Sequence, residues 1–68
     1  MNKRQYVETT MVGTTVYLVY EECGGFNVYR EEGPEGYEYL VFITRYASHR
    51  EVSEFFQWLK AEAFAASL

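Results

Sequence analysis

The pattern of hydrophobic and polar positions changes period near residue 47. Residues 5–46 are dense in Val, Thr, Tyr and Phe, the β-branched and aromatic set that suits a pleated sheet. Residues 49–66 turn to Ala, Glu, Phe and Leu at helical spacing. No repeat, low-complexity tract or linker divides the two.

Within the first part, Gln5 to Val12 alternates imperfectly and Gly13 interrupts it. Thr14 to Glu21 then forms a firmer strand pattern. The break fits either a tight turn between two strands or a bulge in one long strand, with the first segment weaker and edge-like. Cys23-Gly24-Gly25-Phe26 is the clearest hairpin signal, because paired glycines supply positive φ without steric cost. The return strand is Phe26 to Glu31, and its register stays open. A two-residue Gly24-Gly25 loop sets Tyr20 opposite Tyr29, whereas a three-residue loop sets it opposite Val28.

Pro34 and Gly36 occupy the second and fourth places of Gly33–Gly36, which matches a type I turn. Tyr37 to Tyr46 follows as the longest strand pattern. Tyr39, Val41 and Ile43 lie on one face, and Leu40, Phe42 and Thr44 on the other. Both faces are apolar, which predicts a central strand.

Ser48-His49-Arg50-Glu51 reads as a capping box that opens a helix. At 100° per residue Val52, Phe55, Phe56, Leu59, Ala63 and Ala66 form one stripe, which predicts packing on the sheet. Trp58 and Phe64 fall to either side of it. The expected fold is a single small α+β domain over 1–68. It is an antiparallel meander of three or four strands with one C-terminal helix on one face, β-β-β-α or β-β-β-β-α.

Composition narrows the function classes. Six Lys and Arg stand against ten acidic residues, all Glu, for a net charge of −4. That balance argues against a nucleic-acid or anionic-membrane binder. No apolar run reaches the length of a membrane span, and no apolar core follows the basic start in the manner of a secretion signal. A lone Cys23 suits a reducing compartment, so a cytoplasmic location is expected.

Folding a chain of this mass removes roughly 7,000 Å² from water. At ~25 cal/mol per Å² and about 60% apolar area, burial contributes on the order of 105 kcal/mol. Ordering the chain costs about 100 kcal/mol. A monomer is marginal on this sum, and a homodimer is safer.

Candidate chemistry is sparse. Cys23 and His49 are the only thiol and imidazole, but no motif joins them. The absence of Asp removes the usual Ser-His-Asp arrangement. The glycines precede strands rather than a helix, so they form no phosphate cradle. Neither spacing nor residue type makes a metal site of the glutamates, and no cofactor is implied.

Seven tyrosines, five Phe and one Trp leave more aromatic surface than one helix can cover. This composition belongs to protein interfaces. The expectation is a non-catalytic, acidic protein-interaction module, homodimeric, that meets a protein partner through Tyr17, Tyr29, Tyr39 and Arg45 on the sheet. Trp58 and Phe64 serve as helix anchors. Glu21, Glu22, Glu31, Glu32 and Glu35 at the hairpin ends steer a basic partner. One rival reading is a phage or mobile-element type of inhibitor that presents those glutamates to the basic groove of a nucleic-acid-handling complex. Another is a small enzyme or metal-dependent subunit using Cys23, His49 and a Glu.

Overall fold

Gly13 breaks the first stretch as a turn rather than a bulge, with φ at +62°. The chain therefore forms β1 (Gln5–Val12), β2 (Thr15–Glu22), β3 (Gly25–Glu32), β4 (Tyr39–Tyr46) and then α1 (His49–Ala66). These elements come from a computed structural model that describes residues 3–67. The strands pair antiparallel in the order β1-β2-β3-β4, an open meander, and α1 lies on one face. The architecture is α+β, of the β-β-β-β-α form. Among the described residues, no helix is long and apolar enough to cross a membrane.

Three local expectations change. In the β2–β3 hairpin, Cys23 and Gly24 take φ of +51° and +76°, so they are the two loop residues, as a type I′ turn requires. Tyr20 consequently faces Asn27 and Tyr29 faces Leu18, and neither register expected from the glycine pair occurs. Gly25 instead opens β3, where Arg45 crosses its Cα. A Cβ at Gly25 would meet Arg45 Nη2 at 2.6 Å.

The proline turn sits one residue later than expected. Tyr37 N–H donates to the Pro34 carbonyl at 2.9 Å, and Gly36, third in that turn, has φ of +86°. A positive φ at that place marks a type II turn, for which glycine is the natural occupant.

The third change concerns β4, which is an edge strand and no longer than its neighbours. Meander connectivity places the last strand at an edge. Its two apolar faces have separate origins, one beneath the helix and one left open. A register shift also sets Thr44 opposite Val28 and Phe42 opposite Tyr29. Thr44 thereby joins Ile43 on the helix side instead of following Phe42.

The core is small. Val19 and Val28 stand directly opposite each other, and α1 lays Val52 and Phe56 over them. All three valines are fully buried. Tyr17 completes the cluster with its ring 5.7 Å from that of Phe56, edge to face. The helix starts as its sequence implies: the Glu51 N–H donates to Ser48 Oγ at 3.4 Å, and the Ser48 hydroxyl donates to Glu51 Oε1 at 3.1 Å. The box thus closes on the Ser48 hydroxyl instead of its amide. Phe55 and Leu59 extend the packed stripe, but Ala63 and Ala66 are exposed. The last part of α1 has no sheet beneath it.

Replacing Val28 with Ala removes packed volume at a point with no exposure, and should cost about 2 kcal/mol. Thermal unfolding should shift down by about 10 °C for a domain of this size. Phe64→Ala, which alters an exposed ring, should stay within about 0.5 kcal/mol of the parent in the same measurement.

Candidate functional site

Four strands present two faces, and one helix seals only one of them. Alternation of side chains places Tyr6, Tyr20, Tyr29 and Phe42 on the uncovered face, one from each strand. Their rings make a continuous row. Centroids lie 5.8 Å apart from Tyr6 to Tyr20, 5.7 Å from Tyr20 to Tyr29 and 5.9 Å from Tyr29 to Phe42, each pair edge to face. Arg4 lies over the Tyr20 ring at 4.3 Å, a cation–π contact. Tyr6 and Phe42 at the two edges are more than half exposed, as is Met11.

A polar network borders the row. Glu22 Oε2 accepts from Asn27 Nδ2 at 2.6 Å and from the Tyr29 hydroxyl at 2.9 Å. Arg45 donates through Nη1 to Asn27 Oδ1 at 2.9 Å and through Nη2 to the Cys23 carbonyl at 3.0 Å. These bonds orient Tyr29 and hold the Cys23-Gly24 turn. The Tyr29 hydroxyl bond, then the Asn27 bond, holds the Glu22 carboxyl below its ordinary value, with Arg4 and Arg45 adding to the effect against a modest opposing desolvation.

The expected site residues divide between the faces. Tyr29 and Arg45 belong to the open face. Tyr17 does not, because it is buried against Phe56 in the core. Tyr39 pairs with Glu32 on the helix side, at the far end of the sheet, and is exposed. The three tyrosines therefore form no common surface. Tyr6, Tyr20 and Phe42, absent from the sequence-based set, take their place. Tyr20 could have been found from the correct hairpin register, which sets it diagonal to Tyr29.

The glutamates separate too. Glu21 and Glu22 close β2 at one end of the sheet, whereas Glu31, Glu32 and Glu35 lie at the opposite end. A strand of eight residues puts about 25 Å between the two groups. Arg30 pairs with Glu32. Among the described residues, no group of His, Cys, Asp and Glu is arranged to hold a metal ion.

Cys23 is exposed at its turn. His49 meets Glu8 Oε1 at 2.5 Å and the edge of the Phe26 ring at 5.9 Å between centroids. Among the described residues, no hydrogen bond joins Cys23 to His49.

Trp58 and Phe64 are both exposed, at 57% and 66%. Their surroundings differ. Trp58 stacks on Phe55 at 6.4 Å and 26°, and Phe55 meets Tyr46 of β4 at 5.7 Å. Together with Glu51 and Glu54 these three rings line a groove of about 480 Å³ between the helix flank and the β4 edge. Phe64 stands beyond the sheet.

Because the carboxyl of Glu22 titrates below its ordinary value, folding gains stability from its ionised form. That gain is complete above the ordinary value of 4.5, which holds in the unfolded chain, and is lost as pH falls through the lower native value. Carboxyl NMR titration should place Glu22 below 4.5, and in Tyr29→Phe its value should move back up. A Glu22 midpoint at or above 4.5 would contradict the network.

Comparisons with family models, with curated proteins and with solved structures each returned no match.

Proposed function

We propose that this chain is a non-catalytic protein-interaction module that works as a homodimer, with the open aromatic face of the sheet as its dimer surface. The observation that carries this reading is the unbroken ring row from Tyr6 to Phe42 across an uncovered face. Aromatic surface of this kind is enriched in protein interfaces, and a large exposed apolar patch marks a binding site.

Charge favours a second copy as occupant. The open face carries Arg4 and Arg45 against Glu22 and Glu31, two of each sign, so the net −4 of the chain lies elsewhere. Two such faces meet without mutual repulsion, while a strongly basic partner gains nothing there.

Size points the same way. The face measures about 19 by 26 Å from strand spacing and rise, or about 500 Å² per copy. A pair covers about 1,000 Å² before side-chain relief is counted, which reaches the lower bound for a specific interface. The chain is also more open than a lone domain of its length. Its radius of gyration is 12.8 Å, against about 11 Å expected. Its 4965 Å² of accessible surface exceeds by roughly 500 Å² the value expected for its mass.

Light scattering at micromolar concentration should give twice the 8.0 kDa chain mass. Phe42→Glu puts a charge at the exposed end of the ring row. It should yield a monomer whose circular dichroism matches the parent. A monomeric parent, or a dimer indifferent to Phe42→Glu, would overturn the proposal.

A further inference from the structure

The groove between α1 and β4 has chemistry unlike that of the open face. We infer that it binds an arginine side chain presented by a basic protein segment; the inference rests on the interaction-module reading and names the chemistry of the outside partner.

Three rings form the apolar part. Phe55 and Trp58 are one helical turn apart and stack at 26°, and Tyr46 approaches Phe55 from the edge strand at an interplanar angle of 46°. Two carboxylates, Glu51 and Glu54, complete the lining, with no basic residue among the five. Electron-rich ring faces beside carboxylates are complementary to a cation. The same pair of charges repels a phosphate or an acidic peptide.

The guanidinium fits better than an ammonium. It is planar, so it stacks on an indole or phenyl face, and its fork of N–H donors matches a carboxylate. The chain already uses this contact on its other face, where Arg4 lies 4.3 Å over Tyr20.

Neither acid is firmly committed within the chain. Glu51 Oε1 takes the Ser48 hydroxyl at 3.1 Å, and among the described residues Oε2 has no hydrogen-bond partner. Glu54 faces Arg50 at 3.7 Å, but those side chains are 61% and 87% exposed, and such a pair contributes little. An incoming guanidinium can displace Arg50 at small cost. The groove is shallow and open to solvent, so a long side chain can enter it from outside without rearrangement of this chain.

Trp58 is the single tryptophan, so its fluorescence reports on the groove directly. The probe is an acetylated, amidated Gly-Ser-Arg-Gly-Ser-Arg-Gly peptide, with matched versions carrying citrulline or lysine for arginine. The arginine peptide should change the Trp58 emission saturably, with affinity that falls as salt is raised. Citrulline keeps the shape and loses the charge, so its peptide should bind at least tenfold more weakly, and lysine several-fold more weakly. Glu54→Gln should weaken the arginine peptide about tenfold. Glu51→Gln, which preserves the capping pattern, should weaken it as well. Glu32→Gln with Glu35→Gln, at the far end of the sheet and off the open face, should leave binding unchanged.

Equal binding of the citrulline or lysine peptide overturns the inference, as does an emission that never changes up to millimolar peptide. Loss of binding in the Glu32/Glu35 double variant equally overturns it, since general acidity would then be the cause. Light scattering on the same samples keeps the two proposals apart. Glu54→Gln leaves the ring row untouched, so dimer mass and groove binding fail independently.

Discussion

A helix about 10 Å across cannot seal a four-stranded sheet about 19 Å wide on more than one side. Everything distinctive in this molecule follows from that mismatch. The helix spends Val52 and Phe56 on Val19, Val28 and Tyr17, and among the described residues these five make up the buried hydrophobic cluster. Such a core is thin for 68 residues, and the chain is correspondingly extended. The aromatic residues that the helix does not reach are not scattered. They collect in a row on the open face and in a groove on the helix flank.

These two collections differ in charge, and that difference suits each to a separate proposed occupant. On the open face the Glu22, Asn27 and Arg45 network balances its own charges and also orients Tyr29. Balance of this kind permits self-association in a chain that carries −4 overall. At the groove the carboxylates of Glu51 and Glu54 stand beside rings without a lining cation. An acidic protein that pairs with itself through its neutral face would keep its acidic surfaces outward. In the proposed dimer both grooves would be open at once, and paired sites raise avidity where a partner carries repeated basic segments.

The hairpin turn shows how one backbone choice propagates. Cys23 adopts the left-handed conformation, which moves the loop one residue earlier than the glycine pair suggests. Register then changes along β2 and β3, and Tyr20 becomes a diagonal neighbour of Tyr29 instead of its direct partner. Gly25 lies under the Arg45 guanidinium, and a Cβ there would push that side chain aside, a long-range contact between β3 and β4. A reader of the chain sees two adjacent glycines and reasonably assigns both to the turn. Their separate reasons appear only once β4 is in place.

Local signals are legible in the sequence because their physics is local. The strand and helix periods, the breaks at Gly13 and Gly33–Gly36, and the Ser48 cap each depend on a few adjacent residues, so the order and kind of the elements follow the pattern, with turns and strand ends shifted by one or two residues. The apolar surplus was legible as well, since counting aromatics against one helix needs no coordinates. The grouping of those aromatics was not. Tyr17 and Tyr29 look equivalent along the chain, yet register sends one into the core and the other to the open face. Tyr46, Phe55 and Trp58 join only where an edge strand meets the helix flank, and β4 becomes that edge through the order of pairing. Sequence determines which segments form strands, helix and turns, and how much aromatic surface they carry. Tertiary structure alone decides which rings share a face, because side-chain direction reverses with every one-residue change in register.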